Sequence, residues 1–220
     1  MRVALALLLL CVAPVAAQDS TAVVPSASPA GALDARLFRA VYAVDAPAVA
    51  GVLRAAEATS YPVIFGTAPV AWGVAALSDG PYDPALRLTA SVVLAGGATF
   101  VLKHVAGRER PFAGLGVAPR RDVRRLDPRA SFPSGHASMT FALATSASLS
   151  AGRWYVTVPA VGYATAVSVG RVWHGVHYPS DVAAGAVLGA GAALLVHALA
   201  PSVDGVPAGE AFVVPVVVRL

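Results

Sequence analysis

Five apolar windows, each near the length that crosses a bilayer, recur in a chain of 220 residues and limit its fold more than any other feature. They cover residues 61–77, 86–105, 136–151, 154–172 and 182–199. A helix rises about 1.5 Å per residue, so about 20 apolar residues match a hydrocarbon core of about 30 Å. All five windows are rich in Ala, Gly, Ser and Thr, which let helices approach closely in lipid. The expectation is an all-α fold, a compact transmembrane bundle of five to six helices. A sixth segment, 37–53, is apolar on average yet carries Arg39, Asp45 and Pro47. It reads as a span, an interfacial helix or a first bundle helix. A soluble bundle of buried Ala-rich helices is the alternative. With 57% hydrophobic and 13% charged residues, against about a quarter charged in ordinary globular domains, there is too little polar surface for it.

The N-terminus has the form of an export signal: Arg2, an apolar run over 3–12, and Val15-Ala16-Ala17 as a small-residue cleavage site. The organisation expected is a signal peptide over 1–17, an exported linker over 18–36, the helical bundle with its site over 37–200, and a tail over 201–220. The sole cysteine, Cys11, lies in the signal, which leaves the mature chain without thiol chemistry or a disulfide. No repeat divides the chain.

Chemistry resides in the polar residues at the ends of the apolar windows, because ionisable groups at membrane depth are costly and are kept for function. Three clusters stand out. Lys103, the only lysine, closes one window and is followed by Arg108, Arg110 and Pro111. Ser131-Phe132-Pro133-Ser134-Gly135-His136 opens the next, and the stretch from Gly170 through Arg171, His174 and His177 to Asp181 joins the last two. If the windows alternate in direction, all three clusters meet on one face. Eight of the 16 basic residues lie within 103–129, beside three acids. The expected partner is an anion and not a nucleic acid.

Local geometry agrees. Ser134 is placed to cap a helix starting near Gly135, whose free N–H groups favour phosphate-like anions, and Gly135 admits close approach. Guanidinium groups grip phosphoryl oxygens bidentately while Lys103 adds a point charge. No acidic cluster is at hand for a divalent metal, so side chains must supply the positive charge. Asp181, four residues after His177, is spaced to orient that imidazole and leave its other nitrogen to attack phosphorus. His136 stands on the leaving-group side as general acid.

These residues resemble the type 2 phosphatidic acid phosphatase (PAP2) superfamily, whose signature has three parts: Lys-x6-Arg-Pro, Pro-Ser-Gly-His and Ser-Arg-x5-His-x3-Asp. Lys103 to Pro111 matches the first and Pro133 to His136 the second; Arg171, His177 and Asp181 match the third, with Gly170 in the place of its serine. The resemblance implies a helical core shared with haloperoxidases and a phosphatase that uses no metal or other cofactor. Its substrate would be a membrane lipid phosphate or polyprenyl diphosphate, of the phosphatidate, phosphatidylglycerol phosphate or undecaprenyl diphosphate class. It also implies roles. His177 would form a phosphohistidine, Asp181 orient it, and His136 protonate the departing alkoxide. Lys103, Arg110, Ser134, Gly135 and Arg171 would hold the phosphoryl oxygens.

Other residues read as surroundings. His104 and His174 are rim residues or bystanders, and His197 is interfacial. The arginines at 120, 121, 124, 125 and 129 fit a solvated loop that also attracts anionic headgroups. Tyr61, Trp154 and Trp173 fit an interfacial aromatic belt. The chain is expected in a bacterial-type inner membrane, its site on the periplasmic face. Two other functions are compatible with the motifs: a vanadate-dependent haloperoxidase and a non-catalytic protein that binds lipid phosphate.

Overall fold

A computed structural model describes residues 29–200 apart from Asp79. The signal peptide and the tail lie outside the described residues. Those described are helical: α1 (Pro29–Tyr42), α2 (Pro47–Leu77), α3 (Asp83–Ala106), the single turn α4 (Pro111–Gly114), α5 (Gly135–Ala151), α6 (Trp154–Trp173) and α7 (Pro179–Leu199). No strand forms among them. Among the described residues, three stretches are long and apolar enough to cross a membrane, Pro47–Leu77, Asp83–Gly114 and Pro179–Leu199.

The sixth segment is resolved in an unexpected way. Residues 37–53 do not form one helix, because the chain turns after Tyr42 and restarts at Pro47, where proline suits the first helical turn. From there α2 runs unbroken for 31 residues, taking in the window at 61–77. The preceding α1 has 14 residues, about 21 Å of helix, short of the hydrocarbon core. It begins at Pro29, inside the stretch read as linker, and docks by its apolar face. Phe38 is fully buried against Val172 and Tyr178.

Helix α5 is the centre of the bundle and touches α2, α3, α6 and α7. Its position explains its composition. Ser138, Thr140 and Ser146 are buried, and α5 can be rich in Ser and Ala because neighbouring helices, not lipid, surround it. The tightest packing is with α7. A Cβ on Gly185 would lie 2.6 Å from the Ser134 carbonyl oxygen, and one on Gly189 would collide with the Ser138 carbonyl. These glycines, four apart on one face, set the register between the helices whose N-termini carry His136 and Asp181. The backbone N–H of Ser134 donates to the Asp181 carbonyl at 3.0 Å and ties the two starts together.

The aromatic belt is only partly as expected. Trp154 is 76% exposed at the start of α6. Trp173, by contrast, is buried, and its indole N–H donates to Val44 O at 2.9 Å. It anchors the α1–α2 turn to the end of α6.

Candidate active site

The end of α3, the starts of α5 and α7 and the end of α6 gather at one end of the bundle, covered by α1 and the first turns of α2. His177 sits in the connection between α6 and α7, where Gly175, with φ of 79°, turns the chain. A Cβ at Gly175 would press on the Tyr42 ring at 3.3 Å. His177 is buried, with its Nε2 3.0 Å from Arg110 Nη1. A guanidinium only donates, so Nε2 is the accepting nitrogen and the neutral ring carries its proton on Nδ1. That Nδ1 faces Asp181 Oδ2 at 3.5 Å, longer than a hydrogen bond. Burial pushes the His177 imidazole down to about 3, against the opposing pull of Asp181.

Asp181 is fully buried and well furnished with donors. Oδ2 accepts from Ser131 Oγ at 2.6 Å and from the Tyr178 N–H at 2.8 Å, and Oδ1 accepts from Arg108 Nη1 at 2.7 Å. Arg108 is in turn paired with Asp34 of α1, which also accepts from the Ser180 N–H and hydroxyl. Neither Arg108 nor Ser131 was given a role from sequence, although both lie inside the motif clusters. Asp34 lies upstream of every motif.

Of the family's cationic positions, Lys103 and Arg110 are held by backbone oxygens. Lys103 Nζ donates to Ala130 O at 2.6 Å, and Arg110 donates to Asp127 O and Val176 O, both at 2.9 Å. Arg171 is the exception. It is 2% exposed, and its Nη1 meets both oxygens of Glu57 at 2.6 and 2.7 Å. Arg121, read from sequence as part of a solvated loop, reaches in and pairs with the same carboxylate. Arg124, nearby, is exposed and pairs only with Asp122.

Ser134 occupies the N-cap position of α5, but its hydroxyl makes no capping bond and is buried without a partner. His136 Nε2 and Arg171 Nε are likewise buried without partners. The charges of Arg171, Lys103 and Arg121, and His177 itself, all act on His136. A Cβ on Gly135 would be in contact with Thr99 at 3.6 Å and with Lys103 and Met139 at 4.0 Å. Gly170 faces the Leu53 carbonyl on α2, so the position of the family serine abuts backbone. The other histidines stand apart: His104 bonds Phe100 O, His197 meets Ser146, and His174 is buried beside Trp173, where burial lowers it to about 4.

On the other side of His136 the wall is Tyr61, edge-on to the imidazole with ring centroids 4.8 Å apart. Beyond it Thr140, whose hydroxyl donates to His136 O at 2.7 Å, opens a cavity of about 380 Å³ between α2, α5 and α6. Val63, Thr67, Leu143, Ala147 and Tyr163 line it. An apolar groove thus begins at Thr140, one turn of α5 beyond His136 and the cations that act on it.

Residues 84–203 match the family model described as the PAP2 superfamily. A bacitracin transport permease protein, BcrC of Bacillus licheniformis, is 38% identical over 99 residues, spanning 43% of this chain but only 45% of that protein. The decaprenylphosphoryl-5-phosphoribose phosphatase of Mycolicibacterium smegmatis is 36% identical over 141 residues, 61% of this chain and 72% of that protein. Among solved structures, the transmembrane PAP2 type phosphatidylglycerolphosphate phosphatase of Bacillus subtilis superposes with a TM-score of 0.55 at 22% identity, covering 77% of this chain and 85% of that one.

Proposed function

The chain belongs to the PAP2 superfamily, and on that premise we propose that it is a membrane phosphatase that hydrolyses the phosphomonoester or diphosphate of a lipid through a phosphohistidine, without metal. The observation that carries this reading is a cluster of cations around the His177 Nε2 lone pair with an apolar groove that begins at Thr140, one turn along α5 from His136. The cluster suits a phosphoryl group and the groove suits a hydrocarbon tail.

In the first step the phosphoryl oxygens draw Arg110 off His177 Nε2 and free its lone pair. Nε2 bonds to phosphorus as the bond from phosphorus to the lipid oxygen breaks, and His136 delivers a proton to the departing alkoxide. The bound dianion is what lets His136 carry that proton in a cationic pocket. In the second step water, deprotonated by His136, attacks phosphorus, the N–P bond breaks, and inorganic phosphate leaves. Asp181, 3.5 Å from the protonated Nδ1, closes on it as the ring gains charge and balances the phosphorylated imidazole. Lys103, Arg110, Arg171, the Ser134 hydroxyl and the N-terminal N–H groups of α5 at Gly135 take up the charge on the equatorial oxygens.

The setting we propose is a bacterial-type inner membrane with the site on the periplasmic face. Support comes from α1, which lies at the site end of the bundle, so an exported mature N-terminus puts that end outside. A cysteine replacing the exposed Arg124 is expected to react with an impermeant maleimide in intact cells. Protection until lysis would place the site inside.

The enzymatic test is phosphate release from lipid monophosphates and diphosphates in detergent with chelator present. Activity is expected to survive the chelator and to vanish in His177→Ala, with an acid-labile, base-stable phosphoryl adduct on the wild-type chain. Loss of activity on chelation, or turnover by His177→Ala, would overturn the reading.

A further inference from the structure

We propose that Glu57 makes the site selective for lipid phosphomonoesters over diphosphates, a deepening that rests on the phosphatase reading. Glu57, on α2, is partly buried, its side chain 15% exposed. It belongs to none of the three motif clusters. One turn further along the same helix face stands Tyr61, edge-on to His136. Residues four apart on a helix lie one above the other, so Glu57 and Tyr61 together wall the pocket on the side of the proton donor. That side receives the leaving group.

The two substrate classes differ there. A monoester releases a neutral alcohol once His136 has protonated it. A lipid diphosphate cut at its terminal phosphorus releases a second phosphate, so one or more further negative charges must be held on the leaving-group side. Glu57 neutralises part of that side, because Arg171 and Arg121, whose charges act on His136, are both paired with it, Arg171 Nη1 through both carboxylate oxygens. Arg171 keeps Nε, buried and unpartnered, for the transferring phosphoryl group.

The charge of the whole cluster fits the same conclusion. Among the groups inside the hydrogen-bonded cluster, Lys103, Arg108, Arg110, Arg121 and Arg171 are opposed by Asp34, Glu57 and Asp181, five cations against three carboxylates, a net of two positive charges with the histidines neutral; the exposed Asp127 acts on Lys103 and Arg110 from outside it. A phosphomonoester carries between one and a half and two negative charges at neutral pH, by analogy with about −1.5 to −2 for a phosphorylated side chain. The monoester is therefore matched, and a diphosphate is over-charged. Replacing Glu57 by glutamine keeps an oxygen to accept from Arg171 but raises the net charge by one and releases Arg121.

The test compares a prenyl monophosphate with the diphosphate of the same prenol, using the full chain in detergent. The wild type is expected to favour the monophosphate in kcat/KM by about tenfold or more, since one unit charge contact is worth roughly fivefold in bulk water and roughly a thousandfold near a protein surface. Glu57→Gln is expected to narrow the ratio at least tenfold, and Glu57→Asp to restore part of it. Should the glutamine variant fail to fold, competition on the wild type decides: orthophosphate is expected to inhibit more strongly than pyrophosphate. A wild type that cleaves the diphosphate as well as the monophosphate, a ratio unmoved by Glu57→Gln, or stronger inhibition by pyrophosphate would overturn the selectivity while leaving the phosphatase reading intact. A wild type that cleaves neither would overturn both.

Discussion

Arg108→Met tests whether the carboxylate proposed to orient His177 is held by a charge lying outside the motif positions. Arg108 Nη1 donates to Asp181 Oδ1 at 2.7 Å, and Asp181 has no exposure to water. With methionine there, the stem volume remains but the carboxylate keeps only two neutral donors, Ser131 Oγ and the Tyr178 N–H. A hydrogen bond to a charged group contributes about 1.5–3 kcal/mol, and about 1.4 kcal/mol is a factor of ten in rate. If all of it is expressed in the placement of His177, kcat/KM falls roughly 10- to 150-fold. Arg108→Lys, which keeps the charge, should recover part of the loss. Asp34→Asn removes the charge on the far side of Arg108 but leaves the contact to Asp181, so its effect should be smaller. The assay is phosphate release in detergent on monodisperse protein. An Arg108→Met enzyme with wild-type kcat/KM, or an Asp34→Asn loss exceeding it, would refute the reasoning.

Gly189→Ala should lower the unfolding temperature sharply and abolish activity, because its Cβ falls on the Ser138 backbone. Overpacking of this kind costs about 1–3 kcal/mol or more, whereas Gly191→Ala, with nothing within 4 Å, should be silent; equal behaviour of the two would count against the packing account. Ala147→Trp should fill the apolar groove and raise KM for a long-chain lipid phosphate at least tenfold while sparing a short soluble phosphate ester, and a parallel change in both would sever the groove from the substrate. His174 and His177 have folded values near 4 and 3, below the ordinary 6.5, so unfolding takes up protons as the pH drops below about 6.5. Their neutral burial therefore supports stability fully above that pH and loses it downward to about 4 and 3, with a slope approaching about 1.4 kcal/mol per pH unit for each. Thermal unfolding in detergent at pH 7 and pH 4.5 should show the lower temperature in acid, and an unchanged temperature would remove the claim.

Much of the site was legible because the residues that carry it sit at fixed offsets beside helix ends. Apolar windows that alternate in direction bring Lys103, His136, Arg171 and Asp181 to one face by topology alone. What escaped detection came from segments with no pattern of their own. Asp34 and Tyr61 acquire meaning only when α1 and α2 are folded over the pocket, since no local spacing links them to His136 or Arg108. Glu57 had one usable signal, an acid inside a long apolar stretch, where an unpaired charge is costly. Pro47 likewise announced the start of a helix, yet the average hydropathy of 37–53 concealed the break that makes α1 a cover and α2 the span. Trp173 misled for a related reason. Tryptophan near a span end usually marks the interface, but here the turn at Val44 offers its indole a buried acceptor.

The way the cations are held explains how such a pocket can wait for its anion. Taking a charge from water into a low-dielectric site is expensive unless a partner compensates it, and a carboxylate partner would have to be displaced at every turnover. Lys103 and Arg110 rest instead on carbonyl oxygens of Ala130, Asp127 and Val176, dipoles that satisfy their protons without neutralising them. On the proposed reading an incoming phosphate meets positive charge already desolvated and oriented, and replaces neutral dipoles without having to displace a carboxylate. The loop 115–131 supplies two of those carbonyls, which accounts for why so polar a segment is folded back on the bundle. Arg171 departs from this pattern through Glu57, and that departure fixes how much charge the pocket retains for its substrate.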